Sequence, residues 1–143
     1  MDNFIDLHMH STRSDGSFSP KDVVTHAAAL GISTISLTDH DSVAGVAEAT
    51  TAGNEIGVGV IPGVELSAQV GEKDIHILGY FIDPEQGDLK AFLKKFQDAR
   101  IERAEKIVEK LNRMGIPIQM AHVLAKAGNA AVGRPHVADV MVE

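Results

Sequence analysis

The chain has 143 residues, 44% of them hydrophobic, enough for one ordinary domain with a real core. With 13 Lys and Arg against 20 Asp and Glu, its formal charge of −7 gives no broad attraction to phosphate backbones or anionic membranes, so an anionic substrate must be held by local cations. Cysteine is absent, which removes disulfides, zinc-thiolate sites and thiol nucleophiles together and leaves His, Asp and Glu as the available metal ligands.

The N-terminal Met1-Asp2-Asn3 is acidic with no apolar segment behind it, and no apolar run approaches the ~18 residues of a membrane span. A cytoplasmic protein with no membrane partner is expected. Residues 4–11 alternate apolar and polar, the pattern of a strand, so Asp6, His8 and His10 share one face and Ile5, Leu7 and Met9 the other. Two parallel imidazoles suit a metal ion, with Asp6 available to take a ring N–H. Ser14-Asp15-Gly16-Ser17 reads as a turn that leaves Asp15 just past the strand end. Ser19 as N-cap and Pro20 at the first helical position start a helix that Gly31 ends, with His26 on it as a surface or packing histidine.

A second strand follows at 32–37 and closes with Thr38-Asp39-His40-Asp41-Ser42. Strand, amphipathic helix and strand form a βαβ unit with parallel strands, which brings His40 to the same rim as His10 and Asp15. Asp41 or Ser42 is expected to cap a second helix running to about Gly57, and Asp39 reads as a cap or turn former. A third strand over 58–67 carries Glu65 between Val64 and Leu66, where a buried carboxylate needs a cation. His76 lies in a near-continuous apolar fourth strand over 75–82, the pattern of a strand covered on both faces.

The ordered motifs Asp6-Leu7-His8-Met9-His10-Ser11, Ser14-Asp15-Gly16, Leu37-Thr38-Asp39-His40-Asp41, Pro62-Gly63-Val64-Glu65-Leu66-Ser67 and Ile75-His76-Ile77-Leu78-Gly79 closely resemble the polymerase and histidinol phosphatase (PHP) family of metal-dependent phosphoesterases. Within that family the likeness is to the branch that hydrolyses nucleoside monophosphates and 3′,5′-bisphosphates. The resemblance implies an α/β fold, the N-terminal part of a distorted (β/α)7 barrel, with two or three divalent ions (Mn²⁺, Fe²⁺ or Zn²⁺) at the C-terminal end of its strands. It implies metal-ligand roles for His8, His10, Asp15, His40, Glu65 and His76, with Glu65 bridging two ions and Asp15, His40 and Glu65 as candidate catalytic groups. A small phosphorylated substrate, a nucleotide, follows from the same likeness. The acidic balance argues against long nucleic acid. Two other readings stay in view: a non-enzymatic metal-binding module, and a histidinol-phosphatase or 3′ exonuclease type of hydrolase.

Beyond residue 83 the character changes. Apolar residues from Leu89 to Leu111 recur at helical spacing, giving a long helix over about 88–114 that Gly115 and Pro117 stop, with Arg100 interrupting the stripe. A short helix around 119–127 ends at Gly128, and Gly133-Arg134-Pro135-His136 opens another, while His122 reads as structural. The expected organisation is therefore a barrel segment over 1–87 and a helical insertion over 88–143. By resemblance to the cap of the same phosphatase branch, Arg134 and His136 are candidate substrate contacts, with Arg100 and Arg103 weaker ones. Relatives of that branch continue through later strands that complete the metal shells, and those motifs are missing here. Four strands do not close a barrel, so an open sheet edge and self-association through it are expected.

Overall fold

The computed structural model describes residues 4–71 and 73–142. In chain order the elements are β1 (Phe4–Met9), α1 (Pro20–Ala29), β2 (Ile32–Leu37), α2 (Val46–Ile56), β3 (Gly59–Val70), β4 (Lys73–Tyr80), α3 (Gly87–Arg113), α4 (Met120–Ala127) and α5 (Arg134–Val142). The strands form one curled sheet in the order β1-β2-β3-β4. Pairing is parallel between β1 and β2 and between β2 and β3, as the βαβ reading requires.

β4 departs from the expected parallel set: it pairs antiparallel with β3, from Gly63 opposite Tyr80 to Val70 opposite Lys73. The reason is the connection. Two residues separate these strands, Gly71 among them with φ at +62°, which suits a hairpin, whereas a parallel return needs a crossover of about a dozen residues or more. β3 runs on past its pairing with β2 at Pro62, and its extension carries β4 back over the end of the sheet. The curl is strong enough that the Tyr80 hydroxyl on β4 donates to the Leu7 carbonyl on β1, at 2.9 Å.

Two apolar clusters hold the elements. Val23, Val24 and Ala27 of α1 and Ala49 and Ala52 of α2 pack with Ile35 and Leu37 of β2 and with Val58, so both helices press on the parallel part of the sheet. A second cluster joins Ala104 and Val108 of α3 to Ile118, Val123, Ala127, Val132 and Val137, knitting α3, α4 and α5 together. α1 begins as its sequence dictates, with Ser19 Oγ accepting from the Asp22 N–H and Pro20 in the first turn.

α2 does not. Neither Asp41 nor Ser42 caps it; it starts at Val46 behind Gly45 with no side-chain cap, because the Asp41 carboxylate is drawn to Ser67 and Arg100 instead. β4 also fails to be covered on both faces: Ile75 and Ile77 remain 40% and 53% exposed, since α3 turns to pack on α4 and α5 rather than on that edge.

Candidate metal centre

Glu65 is the hub. Its carboxylate is buried on β3, just beyond the parallel ladder, where a bridge joins it to His40 at the end of β2. Oε2 lies 3.0 Å from His8 Nε2, 2.8 Å from His10 Nε2 and 3.4 Å from His40 Nδ1, while Oε1 lies 2.7 Å from His76 Nδ1. Asp15 adds a second carboxylate, 2.8 Å from His10 Nδ1 and 3.6 Å from His40 Nε2. All six residues singled out in the sequence as ligands are thus brought to one place.

Backbone geometry explains why they meet. His8 on β1 and His10 just past its end are two residues apart and share a face, leaving their rings 5.1 Å apart. After His10 the chain doubles back so tightly that a Cβ on Gly16 would stand 2.5 Å from the His10 carbonyl oxygen, and only glycine permits this return of Asp15 to the imidazole. Gly63 is needed likewise, because a Cβ there would overlap Ser36 Oγ, which instead donates to the Ile61 carbonyl between β2 and β3. His76 arrives from the middle of β4, opposite Ser67, rather than from a fourth parallel strand end.

Three overlapping donor groups result: His8, His10 and Glu65; His10, Asp15 and His40; and His40, Glu65 and His76, each with its donor atoms within 4.8 Å of one another. Imidazole nitrogen and carboxylate oxygen without thiolate is a donor set for Mn²⁺, Fe²⁺ or Zn²⁺. The buried His40 Nδ1 has no hydrogen-bond partner among the described residues, its 3.4 Å approach to Glu65 being badly directed. A ring nitrogen held buried and unpartnered beside the Glu65 carboxylate fits a cation.

The electrostatics agree. The His10 hydrogen bond, with the His40 and His10 charges, holds the Asp15 carboxyl down at about 2. Burial opposes ionisation of Glu65, but the hydrogen bond from His8 and the surrounding imidazoles outweigh it and keep its pKa below the usual value. Burial, helped by the Arg100 charge, lowers His40. His10 is also pulled down by burial, yet Asp15, Glu65 and Asp39 together raise it on balance. Two ionised carboxylates and a neutral His40 form the protonation state a divalent ion requires, with His10 the place where protons compete.

Two aspartates do more than their sequence suggested. Asp39, taken for a cap or turn former, is buried and accepts from the Ser11 N–H, Ser11 Oγ and Ser14 Oγ, each at 2.7 Å, so it pins the loop between His10 and Asp15. Alternation along the strand end gave the signal, since Asp39 must point away from His40. Asp41, one residue further, joins β3 to α3. Asp6 does not take a histidine ring N–H; its carboxylate accepts from the His8 backbone N–H at 3.0 Å.

Beside the cluster a cavity of about 290 Å³ is lined by Asp15, His40, His76, Arg103 and Arg134, among others. Burial and the neighbouring Arg100 and Arg134 charges lower the Arg103 pKa, a sign that three guanidiniums crowd one wall. Arg134 reaches Asp74 at 3.1 Å and stays exposed. Arg100 is also on this wall but is only 7% exposed, its Nε on Asp41 and its Nη2 on Ser67 Oγ. His136 is buried behind the wall, with Nδ1 accepting from the Gly133 N–H at 2.9 Å. His26 and His122 stand on exposed helix surfaces away from the cluster.

A curled α/β sheet that gathers imidazoles and carboxylates at one end defines a class of metal-binding domain. The chain belongs to the PHP domain family, whose model matches residues 6–113. It is 40% identical over 139 residues to a 5′-3′ exoribonuclease of Haemophilus influenzae, covering 96% of this chain and 50% of that protein. To a 3′,5′-nucleoside bisphosphate phosphatase of Chromobacterium violaceum it is 42% identical over 112 residues, covering 78% of this chain and 39% of the relative. Among solved structures, a sulfate-bound, metal-free amidohydrolase from Chromobacterium violaceum superposes with a TM-score of 0.88 at 36% identity, over 96% of this chain and 49% of that one. A protein assigned as a metal-dependent phosphoesterase from Bifidobacterium adolescentis gives 0.89 at 33% identity, over 99% and 50%. The chain therefore spans about half the length, or less, of these relatives.

Proposed function

We propose that the chain is part of a metal-dependent phosphoesterase that hydrolyses small phosphomonoesters of nucleotides, with His8, His10, Asp15, His40, Glu65 and His76 holding two or three divalent ions. The observation that carries this reading is the juxtaposition of the six-donor cluster with a cavity that Arg103 and Arg134 also line. Divalent ions in such a cluster neutralise phosphate oxygens, acidify a water and steady the leaving oxygen. Glu65 faces three imidazoles through Oε2 and a fourth through Oε1, which suits it to serve two ion positions. Asp15 and His40 line the cavity as well as joining the cluster, so they stand where a substrate phosphate and an attacking water would meet. Arg103 and Arg134 would hold a phosphate against the ions, Arg134 by leaving Asp74.

A second reading, end-directed cleavage of RNA, is favoured by the likeness to the exoribonuclease. The net charge of −7 weighs toward the small substrate, because long backbones reward widespread basic surface. Turnover of the Mn²⁺-loaded protein should be compared on p-nitrophenyl phosphate, a mononucleotide, a 3′,5′-bisphosphate and a short 5′-phosphorylated RNA. Release of phosphate from the bisphosphate with RNA left intact supports the first reading; processive loss of nucleotides from the RNA with no phosphate release overturns it.

A further inference from the structure

Asp41 is fully buried, takes a left-handed backbone conformation with φ at +49°, and uses every polar group it has. Its N–H donates to the Glu65 carbonyl at 2.9 Å, and its carbonyl accepts from Gln97 Nε2 on α3 at 2.9 Å. Oδ1 accepts from the Ser67 N–H at 2.9 Å, standing in for the backbone carbonyl that a continued β2 would have offered. Oδ2 accepts from Arg100 Nε at 2.5 Å, and the same guanidinium reaches Ser67 Oγ through Nη2 at 2.7 Å. One buried ion pair thereby ties together three things: the residue after His40, the residue two beyond Glu65, and helix α3.

A buried pair of this kind is a weak source of net stability, because desolvation of both ions offsets most of their attraction. What it does secure is geometry: a carboxylate with one oxygen on each partner, and a guanidinium fork whose two donors point to different acceptors, fit only one relative placement of β2, β3 and α3. Arg103 lies three residues beyond Arg100, one helical turn along the same side of α3, and it lines the cavity beside His40 and His76.

We infer that Asp41 and Arg100 are positioning residues, a latch that fixes His40 and Glu65 as metal ligands and sets the depth of Arg103 in the cavity. The inference rests on the metal-centre reading above. Because the latch acts through the direction of hydrogen bonds rather than through charge alone, Arg100→Lys should keep the buried charge compensated but lose the fork.

Mn²⁺ affinity, followed by water proton relaxation, and urea unfolding should be measured on the full chain and on Asp41→Asn, Arg100→Lys, Arg100→Met and Glu65→Gln. Arg100→Met is expected to lower both the unfolding midpoint and the affinity. Arg100→Lys is expected to recover most of the midpoint while binding Mn²⁺ about tenfold more weakly than the unaltered chain, and Asp41→Asn to lose affinity by a similar factor. Wild-type affinity in Arg100→Lys and Asp41→Asn, with only the midpoint lowered, would make the pair a structural salt bridge and overturn the latch alone. An unaltered chain that binds Mn²⁺ no better than Glu65→Gln would overturn the metal centre, and the latch with it.

Discussion

At the level of single residues, the proposed metal centre turns on Glu65. Four imidazole nitrogens lie within 3.4 Å of its carboxylate oxygens, so the acid is well partnered even without a cation. Glutamine keeps the shape and one acceptor oxygen, so Glu65→Gln should limit the cost to the metal-free protein to about 1 kcal/mol. Mn²⁺ affinity should fall more than tenfold, because the hub charge is gone. Calorimetric titration beside urea unfolding checks both halves; unchanged affinity with a large loss of stability would make Glu65 a structural acid.

The same residues set a pH dependence. His10 has its folded pKa raised, so its contribution to metal-free stability is full below its ordinary value of 6.5 and disappears as pH rises through the folded value. Asp15 is the opposite case, contributing above its ordinary 3.8 and losing that contribution as pH falls toward about 2. Metal binding needs His10 neutral, so affinity should climb as pH rises through the raised His10 value, with proton release accompanying each titration. Mn²⁺ isotherms between about pH 6 and pH 8.5 in buffers of different ionisation enthalpy read this directly. Flat affinity across that window would mean that His10 does not ligate.

At the level of elements, the loop from Ser11 to Gly16 depends on a carboxylate contributed by another strand end. Asp39→Ala would leave the Ser11 N–H and two buried hydroxyls without their acceptor, and the cost should be about 3 kcal/mol. Asp39→Asn keeps one acceptor oxygen and should cost about half as much. Amide exchange across residues 11–16 should speed up in both, with α4 and α5 unaffected; uniform protection would show that the loop holds itself.

How far these elements were legible depends on the range of the interaction. Local signals locate the Ser19-Pro20 start of α1, the alternation of β1 and the stripe of α3, whereas Arg100, expected as a substrate contact, is buried in an ion pair. The partner of Arg100 was hidden, since Asp41 is 59 residues away and its neighbours suggested a helix cap. The direction of β4 is hidden because strands over 58–67 and 75–82 leave room for a longer connection; the tight hairpin at Gly71 shows only once β3 runs on to Val70 and β4 starts at Lys73. Motif order placed the six donors, but the part each strand plays, above all the descent of His76 from a hairpin, needed the register.

For the molecule as a whole, the sheet is open. β1 and β4 are edges joined across the curl by the Tyr80–Leu7 hydrogen bond, and between them Phe4, Ile5, Ile75 and Ile77 keep 40% or more of their surface in water. Unpaired backbone groups beside exposed branched side chains form a template for a further strand. The relatives are about twice as long, and a 143-residue polypeptide in isolation offers such an edge another copy of itself. Self-association at tens of micromolar is therefore expected by sedimentation velocity, and Ile77→Lys on the exposed β4 edge should shift the distribution toward monomer without altering helix content. Ile77 is not among the six donors, although it neighbours His76, so Mn²⁺ binding should survive the change to within a few fold. A sharp monomer for the unaltered chain at these concentrations would mean that the curl and the Tyr80 bond suffice to protect both edges.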